Sequence, residues 1–223
     1  MKEISLFDVI GPHMIGPSSS HTAGAARIAF LARKIAAAPI QKVHFVLYGS
    51  FAKTYRGHGA DKALIAGILG MGPEDLRIKE AFTHAKKEGL VYSFEENTKE
   101  KGYHPNTVEI QLTTVEGKRF TVRGSSIGGG NIQINELNHM EIEFTGEYDT
   151  LFIRQKDTKG ILAHVTKCLS EYSINIAFMK VYREEKGSIA YMITETDEAI
   201  NEKIVEKIKE NPNILDVKII EKL

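Results

Sequence analysis

Apolar positions recur along this chain first at helical spacing and later at strand spacing. Between Ala23 and Ala37, Ile28, Leu31 and Ile35 share one face while Arg27, Arg33 and Lys34 fall elsewhere, which predicts a helix closed by Pro39. In "KVHFVLYGS", Val43, Phe45 and Leu47 alternate as in a half-buried strand. A glycine-containing loop then leads to a short predicted helix from about Ala60 to Leu69. A further helix is predicted with Pro73 in its first turn beside Glu74 and Asp75, carrying Ile78, Phe82 and Ala85 and stopping at Gly89.

Beyond Gly89 the period shortens. "LVYSF" reads as a strand, "TVEIQLTT" and "KRFTVRG" as a hairpin around Glu116-Gly117, and "IQINEL" and "MEIEF" as further strands after a glycine-rich loop, "SSIGGGN". The polar stretch from Thr145 to Thr150, with Gly146, reads as a linker. After it come strand "LFIRQ", a helix from Gly160 to about Tyr172, strand "INIAFMKVY", a turn at "REEKG", strand "SIAYMITE", a helix from Asn201 to Glu210 and strand "ILDVKII". That order, β-α-β-β-α-β, is ferredoxin-like. The expectation is an α+β chain with an α/β domain over 1–144, a linker over 145–150 and a ferredoxin-like domain over 151–223.

Composition narrows the function classes. Lys+Arg and Asp+Glu both total 29, so the basic surplus of a nucleic-acid binder is missing. No stretch approaches the roughly 20 apolar residues of a membrane span, so no membrane partner is expected. The segment "MKEISLFDVIG" lacks the apolar core and cleavage site of a signal peptide. The single Cys168 excludes an internal disulfide, and a cytoplasmic location is the expectation. Cys168 sits among Ile161, Leu162, Val165 and Leu169 on a predicted helix, as a small buried residue would.

Four polar clusters remain. Ser18, Ser19, Ser20, His21 and Thr22 precede the first helix. One N-cap needs one hydroxyl. The surplus fits an anion site at a helix N-terminus, with an imidazole able to move a proton. His58 stands between Gly57 and Gly59, with Asp61 nearby, and read alone the motif is better explained by a first-turn carboxylate at Asp61. His104, Asn106 and Thr107 lie at a strand entrance, where ordinary loop chemistry also places Pro and Asn. "GSSIGGGNI" has neither the P-loop ending nor GxGxxG spacing, and no GxSxG surrounds the serines of the first cluster.

Taken in order, "GPSSSHTAG", "YGSFAKTYRGHGAD", "HPNT" and "SSIGGGN" resemble the β chain of the iron–sulfur-dependent L-serine dehydratase (L-serine ammonia-lyase) family, over essentially Met1 to Phe144. Ala23 stands where methionine is common in that family, and Ala60 where threonine is common. "KDTKGILAHVTKCLSEYSINI" resembles an amino-acid-binding ACT domain, with Lys159 at a frequent proline position. The resemblance implies conversion of L-serine to pyruvate and ammonia without pyridoxal phosphate. It implies a 4Fe–4S cluster on a separate α chain, since such clusters take several thiolates and this chain has one. It makes His21 the candidate base, Ser18, Ser19, Ser20, Thr22, His58, Asp61, His104 and Asn106 candidate substrate-binding residues, and Asp157, Gly160 and Asn175 a regulatory amino-acid site. No metal ligand is expected in this chain, and self-association through the ACT domain is expected. The competing readings are a non-catalytic amino-acid sensor and a pyridoxal-phosphate dehydratase, the latter without a persuasive lysine motif.

Overall fold

The computed structural model describes residues 13–183 and 185–223. The "MKEISLFDVIG" segment and Glu184 of the "REEKG" turn lie outside the described residues. The chain divides into two compact units, 1–145 and 146–223.

In the first unit a π-helical turn, Ser19–Ala23, runs directly into helix α1, Gly24–Ala36. The helix ends where Ala37 turns left-handed two residues before Pro39. Ile28, Leu31 and Ile35 are buried as their spacing predicts, and the small Ala25, Ala29 and Ala32 are buried with them. Strand β1, Ile40–Tyr48, buries Val43, Phe45 and Leu47. Val46 and Tyr48 are buried too, so the far end of the strand is covered on both faces.

The expected loop after β1 contains a helix, α2, Gly49–Thr54, ahead of α3, Ala60–Ile68. A six-residue helix with Gly57 and Gly59 soon after it leaves little periodicity to read. Pro73 does not open a helix: it precedes a 3-10 turn, Leu76–Glu80, capped by Asp75, and helix α4 begins only at Ala81, ending at Lys87.

Strand β2, Val91–Asn97, pairs in parallel with β1, the three intervening helices making the crossover. Strands β3, Thr107–Thr114, β4, Arg119–Gly128, β5, Asn131–Leu137, and β6, Met140–Phe144, continue antiparallel in the order β2-β1-β3-β4-β5-β6. The predicted "SSIGGGN" loop is mostly strand: β4 runs through Gly128, and only Gly129 and Gly130 separate it from β5. Helix α1 packs on β4, β5 and α3. The opposite sheet face is polar, bearing Lys42, His44, Gln111, Arg119 and Thr121.

The second unit runs β7, Asp149–Lys156, α5, Ile161–Glu171, β8, Ile176–Arg183, β9, Ile189–Thr196, α6, Glu202–Lys209, and β10, Ile214–Ile220. Its antiparallel-paired sheet has the order β10-β7-β9-β8. Leu151 and Ile153 meet Ile161, Val165, Leu169, Ile204 and Ile208 in one core, and Cys168 is buried within it.

Candidate active site

The N-terminal hydroxyl-rich run folds as a π-turn because its polar groups serve its own backbone. Ser18 caps the turn, its Oγ accepting from the His21 amide at 3.1 Å. Thr22 is buried and donates its hydroxyl to the His58 carbonyl at 2.9 Å. That bond ties the first cluster to the second. Thr22 therefore holds His58 in place, while the hydroxyls of Ser19 and Ser20 have no hydrogen-bond partner among the described residues.

His21 projects from this turn into a nest of aromatic and hydroxyl groups. Its ring lies 4.8 Å from that of His58 and 5.3 Å edge-on from Phe51. Nε2 is 2.9 Å from Ser50 Oγ, and Nδ1 is 3.4 Å from Ser18 Oγ. Burial first, and the His58 ring second, hold the His21 pKa below 6.5. Both effects disfavour the imidazolium, so the ring is kept neutral and able to accept a proton.

Asp61 takes the first turn of α3, where its Oδ1 accepts from the Lys62 amide at 2.8 Å. Burial pushes its carboxyl up from the ordinary value. It serves its own helix.

The "HPNT" segment closes the same end of the sheet. Pro105 O accepts from the Ser50 amide at 2.6 Å and the Phe51 amide at 3.3 Å, and Asn106 O from the Ser126 amide at 2.9 Å. His104 is exposed, and its Nδ1 accepts from the Asn106 amide at 3.2 Å, which leaves Nε2 as the outward nitrogen. Thr107 Oγ1 donates to the His104 carbonyl at 2.7 Å. Asn106 Oδ1 and Ser126 Oγ are buried at this end of the sheet with no hydrogen-bond partner among the described residues. Buried orphan polar atoms are scarce in folded proteins and ask for a reason.

Under this segment lies a polar network the sequence did not reveal. Arg123 donates to Glu109 at 2.8 Å and to Glu136 at 2.6 Å, and its guanidinium stacks 4.7 Å from the Tyr103 ring. Tyr103 also packs on Tyr48 at 4.9 Å. Burial and then Glu109 push the Tyr48 hydroxyl up to about 12. The network anchors the residues just before His104. Beside it a cleft of about 550 Å³ is lined by Tyr48, Ser50, Lys53, Lys101, Tyr103 and Pro105.

Ser50, Ser126 and the Arg123 network are thus the parts that sequence reasoning missed. "YGS" before a predicted loop was the available signal for Ser50. For Arg123 there was none, because its partners are 14 and 13 residues away on two other strands.

The second unit does not gather its three candidates. Asp157 accepts from the Gly187 amide at 2.9 Å and faces Arg183 Nε at 3.2 Å, pinning the β8–β9 turn instead of capping α5. Asn175 donates to Asp197 at 2.6 Å at the opposite end of β8. Gly160, with φ +90°, starts α5 beside Asp157.

The first unit thus sets a histidine among hydroxyls at a helix start, and the second is a complete βαββαβ unit. The family model of the serine dehydratase beta chain matches residues 5–137, and that of the ACT domain matches residues 150–213. The chain belongs to the serine dehydratase beta chain family. It is 41% identical over 204 residues to "L-serine dehydratase, beta chain" of Peptoniphilus asaccharolyticus, covering 92% of both chains. It is 41% identical over 217 residues to "Probable L-serine dehydratase, beta chain" of Bacillus subtilis, covering 97% of this chain and 98% of that one. A "D-3-phosphoglycerate dehydrogenase" of Bacillus subtilis is 31% identical over 199 residues, 88% of this chain but 37% of that enzyme.

Proposed function

We propose that this chain is the β chain of a two-chain L-serine ammonia-lyase, a lyase that converts L-serine to pyruvate and ammonia. Identity of 41% over nearly the whole chain to two β chains supports the reading, and His21, set between the hydroxyls of Ser18 and Ser50 at the helix start, is the observation that carries it. In this reading Ser18, Ser19 and Ser20 bind the substrate carboxylate at the helix start, Asn106 and His104 contact the substrate from the neighbouring loop, and His21 removes the α proton. Burial, with the His58 ring second to it, keeps His21 neutral. Thr22 and Asp61 hold the frame.

The residues of this chain do not fit a 4Fe–4S cluster. Its single thiol, Cys168, is buried in α5, and burial pushes its pKa up, away from the thiolate a cluster needs. Among the described residues no three His, Cys, Asp or Glu side chains converge to hold a metal. The cluster therefore belongs to the α chain in this reading. No described helix is long and apolar enough to cross a membrane; a cytoplasmic setting is part of the proposal, as is self-association through the ACT domain.

The test is reconstitution. The purified chain should be nearly free of iron and inactive, and anaerobic mixing with an α chain should release pyruvate from L-serine. Stoichiometric iron and sulfide in the isolated chain, or full activity without the partner, would refute the proposal.

A further inference from the structure

His21 is engaged at both ring nitrogens, so a base role needs an account of which nitrogen is free. The Ser50 contact, at 2.9 Å to Nε2, has ordinary hydrogen-bond length. The Ser18 contact to Nδ1, at 3.4 Å, is long, and Ser18 Oγ already accepts from the His21 amide. A neutral imidazole carries one N–H, and the tighter contact is where that N–H gains most.

Ser50 is well placed to fix it. Gly49 makes the strand-to-helix corner at φ +53°, and a side chain there would collide with Pro105. The amides of Ser50 and Phe51 are both spent on Pro105 O, and the Ser50 carbonyl accepts from Thr54 Oγ1 at 2.8 Å. The backbone on both sides of Ser50 is thereby locked. The same bonds argue against a nucleophilic serine, because the N–H groups that would stabilise an oxyanion beside it are occupied.

We propose that Ser50 is the positioning residue of His21: its hydroxyl accepts the Nε2–H, making Nδ1 the basic nitrogen and leaving the Ser18 hydroxyl free to turn from Nδ1 to the substrate carboxylate. The proposal rests on the lyase reading for the role of His21 as base. On turnover the Cα–H bond breaks and an Nδ1–H bond forms. The electron pair forms the Cα–Cβ double bond and the β-hydroxyl departs as hydroxide, which takes up the Nδ1 proton as water while the ring keeps its Nε2–H on Ser50. Ser50 itself exchanges no proton.

The experiment is nitrogen-detected NMR of this chain alone, labelled with ¹⁵N-histidine, at about pH 8 where an imidazole is neutral. Wild type should show His21 as the Nε2–H tautomer. Ser50→Ala should populate Nδ1–H, Ser50→Thr should restore Nε2–H, and Ser18→Ala should leave Nε2–H in place. A wild-type Nδ1–H tautomer, or a flip caused by Ser18→Ala and not by Ser50→Ala, would overturn the proposal, and Ser18→Ala keeps the test decisive if Ser50→Ala does not fold. Assembled with an α chain, Ser50→Ala should lower kcat by up to about 10²-fold, the cost of a misplaced catalytic group, with KM little changed and Ser50→Thr recovering most of it. The expected tautomer shift with turnover unchanged would instead remove His21 as the base, leaving the Ser50–His21 bond standing.

Discussion

At the residue scale the decisive quantity is the protonation state of His21. His21→Ala in the assembled enzyme should reduce turnover by about 10²–10⁴-fold, the usual contribution of a general base. His164→Ala is the control, because His164 bonds the Ile208 carbonyl within the second unit's own helices. Equal activity of the two variants in a pyruvate assay would reject the base assignment, and a loss confined to KM would make His21 a carboxylate ligand instead. Since burial and His58 lower the His21 pKa, the acid limb of kcat/KM should lie below pH 6.5. His58→Ala should move that limb upward but not to 6.5, because burial is the larger cause. The same sign applies to folding: the unfolded chain takes up this proton more readily, so the contribution of His21 to stability is present above its unfolded value and lost as pH falls. A pH–rate profile and a pH series of denaturant titrations measure the two effects separately.

At the element scale, glycine positions show how closely the site is packed. A Cβ on Gly24 would overlap the hydroxyl of Ser126, joining the first turn of α1 to β4 directly under the site. Gly24→Ala should therefore destabilise the chain by about 1–3 kcal/mol through overpacking, and Ser126→Gly in the same chain should recover most of it. Urea unfolding of the single and double variants reads the coupling; additive losses would disprove direct contact. Helix α1 and strands β3 to β6 were legible because their apolar spacing is regular over a full element. Helix α2 and the 3-10 turn after Asp75 were not, being too short to show a period, and their positions follow from backbone bonds to Pro105 and from the Asp75 cap. The "SSIGGGN" segment misled for another reason: Ser125 to Gly128 extend β4 in its pairing with β5, and only Gly129 and Gly130 form the loop that the glycines suggested.

At the scale of the whole molecule the second unit carries the regulatory question. Asp157 and Gly160 lie at one end of its sheet and Asn175 at the other, an eight-residue strand apart, or about 26 Å at ordinary strand rise. One copy cannot bring them to a single small ligand. If L-serine is the regulatory ligand, its binding to the full chain should depend on protein concentration, rising with self-association. Calorimetry at several chain concentrations beside sedimentation would show it, and Asn175→Ala should weaken binding with folding intact. Concentration-independent binding, or no heat at millimolar L-serine, would rule out that shared pocket.

What the sequence by itself determined was the content of the site and the order of the elements. Four ordered polar motifs carried the family resemblance, and apolar periods of 3.6 and 2 laid out the βαββαβ unit, because local spacing records which face of an element is buried. The motifs stand up to about 100 residues apart, and nothing local says that Thr22 will bond His58, that Pro105 will hold the amides of Ser50, or that Asn106 will meet Ser126. Those contacts, the meeting of Ser50 with His21, the Arg123 network and the separation of Asp157 from Asn175 were decided by strand order and register. They are pairings between distant segments, fixed only when the sheet closes and each buried polar group must find its partner in space.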